Sequence, residues 1–123
     1  MIMDKTKGVV ETEISKSLTQ WEKQYFGRGS VSVKSDILRD MMIVSLRGIL
    51  TPAEYSVCKD KEGLLSVKEN RNSLVESGVN ELKEIIFSIT GLNVISFYTD
   101  LSTHTGERIM IFKLSDHLQS QLS

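Results

Sequence analysis

Ser30-Val-Ser-Val-Lys-Ser-Asp36, followed by Met41-Met-Ile-Val-Ser-Leu46, has a counterpart further along the chain in Val94-Ile-Ser-Phe-Tyr-Thr-Asp100, followed by Ile109-Met-Ile-Phe-Lys-Leu114. In each copy the first member alternates between apolar and polar residues and closes on an Asp, as a strand with one wet face does. The second member is a near-continuous apolar run, the pattern of a strand covered on both faces. Each pair follows a helical segment that ends in glycine. The order is therefore αββ, a short helix, then αββ. It predicts an α+β fold, a two-layer pseudo-repeat with helices packed on an antiparallel four-stranded sheet.

Working outward, Val10, Ile14, Leu18, Trp21 and Tyr25 recur at three- and four-residue spacing, with Glu11, Lys16, Glu22 and Lys23 on other faces. This is an amphipathic first helix, and Gly27 and Gly29 stop it. Val31 and Val33 point one way from the first strand, and residues 35–40 make its turn. In the second strand Met42, Val44 and Leu46 share one face, while Met41, Ile43, Ser45 and Arg47 share the other. Thr51, Pro52 and Glu54 then spell a helix start: a cap, a proline where the missing N–H costs nothing, and the acid of a capping box. Gly63 ends or bends this short helix. Val67, Leu74, Val75, Gly78, Leu82, Ile85, Ile86 and Ile89 trace one stripe toward Thr90-Gly91, so a single long helix is expected from Leu64 to Ile89. The tail from Asp116 is polar and expected to fray.

A chain of 123 residues is expected to form one domain, with a core over about residues 9–115 and a polar tail over 116–123. The 15 basic and 16 acidic residues interleave to a net charge of −1, which argues against nucleic acid as a partner. Cys58 is alone and cannot close an internal disulfide, and Met1 to Lys5 lacks the apolar stretch of a signal peptide. Both point to the cytoplasm. The longest apolar run, Met41 to Val44, is far below the roughly 20 residues that span a bilayer, so any membrane role goes through a protein partner.

Two features point to a homodimer. Ile43, Ile109 and Ile111 leave the second sheet face partly apolar, and a helix of about 39 Å would overhang strands of about 20 Å. Symmetric dimers are the commonest answer to such surfaces.

Candidate chemistry is sparse. Gly27-Arg28-Gly29 resembles a phosphate loop, but it follows a helix, and anion loops precede helices. Arg47 together with the backbone donors at Thr51 is better placed for a small anion, although Glu54 competes for those donors. Asp100, His104 and Glu107 offer ligand-type side chains at a spacing that selects no metal. Cys58 has no histidine nearby to activate it. No catalytic residues, metal site or cofactor are therefore assigned. Arg71 interrupts the apolar stripe and must snorkel or find an acid, and its partner is left open.

Gly27-Arg-Gly29, Leu50-Thr-Pro-Ala-Glu54, Thr90-Gly91 and Thr99-Asp-Leu-Ser-Thr-His-Thr-Gly-Glu107, in that order and with Glu62-Gly63, Val67-Lys-Glu69 and Arg71 between them, resemble the MpsC-like family of small bacterial proteins. The resemblance runs from about Val10 to Leu114. It departs from the usual pattern at Ser30, where proline is usual, and at Tyr98, where histidine is common. It implies a soluble, non-catalytic accessory or regulatory partner of a cation-translocating, membrane-potential-generating system linked to sodium and inorganic carbon uptake. It implies no catalytic residues. The long Leu101 to Arg108 connection is then the expected contact with a membrane transport complex, through His104, Glu107 and Arg108. The alternative is a small-anion or metabolite sensor unconnected to transport, with Arg47 and Thr51 as its pocket.

Overall fold

The structure is a computed structural model that describes residues 5–122. The start of the chain, on which the reading of no signal peptide rests, lies outside the described residues, as does Ser123. The first helix, α1 (Lys7–Phe26), is capped by the Thr6 side chain and stops at the left-handed Gly27. It is followed by strands β1 (Ser32–Leu38) and β2 (Met41–Arg47). Helices α2 (Pro52–Val57), α3 (Lys61–Ser77) and α4 (Val79–Thr90) come next. Strands β3 (Val94–Leu101) and β4 (Arg108–Leu114) and a last short helix, α5 (Leu118–Gln121), complete the order. The sheet is antiparallel throughout with strand order β1-β2-β4-β3, so the two hairpins join through their second strands. The fold is α+β, with helices on one sheet face.

The core lies between that face and the helices. Met42, Val44 and Leu46 of β2 and Met110, Phe112 and Leu114 of β4 are buried there against Val10, Ile14 and Leu18 of α1 and Leu82 and Ile86 of α4. The period of two in the central strands and of three to four in the helices is what places these residues inward. The opposite face stays open. Ile43 pairs with Ile111, which pairs with Tyr98, so an apolar row crosses it, and Tyr98 is 60% exposed.

Several expectations change. The first strand is longer than its alternation suggested, and only Arg39 and Asp40 separate it from β2. Its buried positions are Ser35 and Ile37, while Val31 lies outside the strand, 86% exposed. Glu22, assigned to the wet face of α1, is buried and accepts hydrogen bonds from Ser30 N at 3.1 Å and Ser30 Oγ at 2.7 Å. Gly63 stops nothing. It sits in the first turn of α3, where its N–H donates to the capping Asp60 at 2.7 Å and an added Cβ would lie 2.1 Å from the Val57 carbonyl oxygen.

The long helix is two helices. They meet at Gly78, where Trp21 stands against the backbone and leaves no room for a side chain: an added Cβ would lie 2.5 Å from Trp21 Cζ2. With the break, the overhang that argued for a dimer disappears, since α3 and α4 are only about 26 Å and 18 Å long at 1.5 Å per residue. The described part of the tail packs onto the fold. Leu118 is fully buried in the core, and Gln119 closes a reciprocal pair with Arg39, its N–H donating to Arg39 O at 3.0 Å while its Oε1 accepts from Arg39 N at 2.7 Å.

Candidate functional site

Polar side chains singled out separately in the sequence gather at one end of the sheet, where β2 finishes and β4 begins. The capping box forms as read: Glu54 N donates to Thr51 Oγ1 at 3.2 Å and Thr51 N donates to Glu54 Oε1 at 2.9 Å. The same carboxylate receives Arg71 in bidentate fashion, Nε to Oε2 at 2.7 Å and Nη2 to Oε1 at 2.5 Å, and Arg71 Nη2 also reaches the Ile49 carbonyl at 3.2 Å. This answers the question of Arg71's partner within the chain. The Arg71 hydrogen bonds are the main reason that the Glu54 carboxyl ionises near 2, with the cap and the Arg71 charge pulling the same way against burial.

The anion site read at Arg47 and Thr51 lies beside these contacts. Two backbone donors of that helix start, Thr51 N and Glu54 N, are engaged by the capping box, and α2 is only six residues long. Arg47 is 73% exposed and donates through Nε to Glu107 Oε2 at 3.0 Å. Glu107 is thus tied across the hairpin ends. His104 is exposed on the loop, which is folded back on itself by Ser102 N to Glu107 O at 2.9 Å and Gly106 N to Ser102 O at 2.7 Å.

Arg108, expected on the surface with His104 and Glu107, is only 2% exposed. It opens β4 in register with Met110, Phe112 and Leu114, so its side chain enters the helix-covered face. Its Nη1 donates to Asn72 Oδ1 at 2.9 Å and Thr99 Oγ1 at 3.0 Å. Nη2 is buried with no hydrogen-bond partner among the described residues. Burial, with the Arg71 charge behind it, pulls the guanidinium down to about 10, still cationic at neutral pH. Asn72 also donates to Asp100 Oδ1 at 3.4 Å, and Lys68 Nζ lies 3.3 Å from Asp100 Oδ2. Helix α3 is thereby tied to α2 and the segment after β2 through Arg71, and to the second hairpin through Asn72 and Lys68. No group of three or more His, Cys, Asp or Glu is placed to hold a metal among the described residues. Cys58 is a half-buried free thiol at the end of α2.

A small α+β domain with a solvent-facing sheet surface and an arginine-rich end defines a class of scaffold rather than a reaction. Residues 6–116 match the family described as "Na+-translocating membrane potential-generating system (MpsC)", and the chain belongs to that family. It is 66% identical over 120 residues to the uncharacterized protein YbcI of Bacillus subtilis (strain 168), covering 98% of this chain and 97% of that one. No solved structure matches it. No helix among the described residues is long and apolar enough to cross a membrane.

Proposed function

We propose that this chain is a non-catalytic accessory or regulatory protein of a cation-translocating, membrane-potential-generating system, acting in the cytoplasm and reaching the membrane only through a protein partner. The family match over residues 6–116 carries this reading. The contact with the membrane complex is the 102–107 loop, whose exposed His104 and half-exposed Glu107 project from the closed end of the second hairpin. Arg108, being buried, positions the loop from below.

The open sheet face supports association of two copies. On it, Lys34, Ser45, Ile109 and Asp100 form one row, and Asp36, Ile43, Ile111 and Tyr98 the next. A two-fold axis running along the strands between β2 and β4 lays β1 over the second copy's β3. Ile43 then meets Ile111, Lys34 meets Asp100, and Asp36 meets the Tyr98 hydroxyl. The perpendicular axis would instead oppose Asp36 to itself, so charge favours the first arrangement. The footprint, about 19 Å by 23 Å from strand spacing and rise, is small for a stable interface, so the dimer is expected to be weak and concentration-dependent.

Affinity capture from detergent-solubilised membranes tests the function. The wild type is expected to retain a subunit of a cation-translocating complex, and a His104→Ala/Glu107→Ala variant to retain less at unchanged thermal stability, because exposed pairs contribute little. Capture of no such subunit by the wild type refutes the reading, and undiminished capture by the variant removes the loop from it.

A further inference from the structure

We infer that the cavity beside Arg108 binds a small inorganic monoanion of about the size of chloride. Arg108 is a buried guanidinium whose hydrogen-bond partners, Asn72 and Thr99, are both neutral, and no carboxylate lies within ion-pair distance of it among the described residues. Its Nη2, with no partner, belongs to a residue that lines a cavity of about 20 Å³. Glu22, Arg28, Ser30 and Arg71 share that wall.

The wall of this space holds more arginine than carboxylate. Arg71 is matched by Glu54, and both oxygens of Glu22 are taken by Ser30. Among the described residues Arg28 donates only to a backbone carbonyl, Gly48 O at 3.0 Å, and Glu22 is the one carboxylate in the wall against Arg28 and Arg108, with Asp100 and Glu76 acting on Arg108 from outside it. A buried polar group without a partner asks for water or an ion. A water would satisfy the Nη2 hydrogen atoms but not the charge. An anion satisfies both.

The size of the space then selects the ligand. About 20 Å³ exceeds the roughly 10–15 Å³ that one water requires, but it leaves no room for a phosphate ester or a carboxylate metabolite. Glu22 in the same wall disfavours a divalent anion. The exposed Arg28 and half-exposed Gly29 at the rim give the ion a way in. This inference is independent of the proposed partnership with a membrane complex and stands or falls on the isolated protein.

The test is a thermal-melt titration of the full chain in sodium gluconate, replaced stepwise by sodium chloride or bromide at constant ionic strength. Gluconate is too large to enter, so the midpoint is expected to rise saturably with halide, as for any ligand that binds only the folded state. Crystals grown in bromide are expected to show an anomalous peak within hydrogen-bond distance of Arg108 Nη2. Glu22→Gln, which removes the competing carboxylate, is expected to lower the half-saturating halide concentration several-fold, and Arg108→Gln to abolish the response. Equal melts in gluconate and halide, or a water without anomalous signal in the cavity, overturn the inference, as does a full response from a folded Arg108→Gln. If Arg108→Gln does not fold, Glu22→Gln decides: a lower midpoint concentration supports the site and an unchanged one overturns it.

Discussion

Replacing Glu54 with Gln separates the two roles of this side chain. The amide oxygen can still accept the Thr51 N–H, so the capping box is kept in part, while Arg71 loses the carboxylate that now holds it at 2.5 and 2.7 Å. A carboxyl that ionises at about 2 in the folded chain and at 4.5 in the unfolded one contributes about 3 kcal/mol at neutral pH. Water reaches one side of the pair, which lowers the expected effect to about 2 kcal/mol. The sign follows from the lowered value. Protons bind the unfolded chain first, so the contribution is complete above about pH 5.5 and drains away between 4.5 and 2. Urea denaturation of wild type and variant at pH 7, 5, 4 and 3 measures it. The gap between them is expected to be about 2 kcal/mol at pH 7 and to shrink steadily as pH falls. Arg71→Met should open a similar gap at pH 7, and the double variant should fall well short of the sum. A gap that stays constant from pH 7 to 3, or additive single variants, would refute the assignment of this pair as the tie between α2 and α3.

Two further outcomes follow from single contacts. Thr51→Ala removes the acceptor of the Glu54 N–H and is expected to cost about 1 kcal/mol, read as a shift in the denaturant midpoint; an unchanged midpoint means that Glu54 caps alone. Leu118→Ala empties a fully buried position under the sheet and is expected to cost about 2–5 kcal/mol; a loss below about 0.5 kcal/mol would mean that the tail is a surface appendage.

How far the sequence reaches depends on whether a residue's role is local. Strands β2 and β4 and the inward sets Met42, Val44, Leu46 and Met110, Phe112, Leu114 were legible because period-two burial is written into the chain itself. The capping box was legible for the same reason, all its atoms lying within four residues. The break at Gly78 was not. On the apolar stripe a glycine reads as a small helical residue, and the tryptophan that needs its space, Trp21, is far away in sequence. Gly63 misled in the same way, because a glycine after a short helix looks like a stop and here admits the Val57 carbonyl. Leu118 was hidden in a polar tail, where one apolar residue carries no periodicity.

The arginines show where the same limit falls for the candidate site. Arg47, Arg71 and Arg108 could each be singled out in sequence, but charge alone does not say which arginine is spent on structure. Geometry sorts them: Arg47 is held by Glu107 in solvent, Arg71 by Glu54 against a backbone carbonyl, and Arg108 by neutral groups only, under the sheet. A signal for the last was present. Arg108 stands at even spacing from Met110, Phe112 and Leu114, so the alternation that placed those three in the core placed it there too. Assigning it to the loop because it is charged put residue type ahead of register. With register first, the arginine with no carboxylate in hydrogen-bond reach among the described residues is the one that lines the cavity.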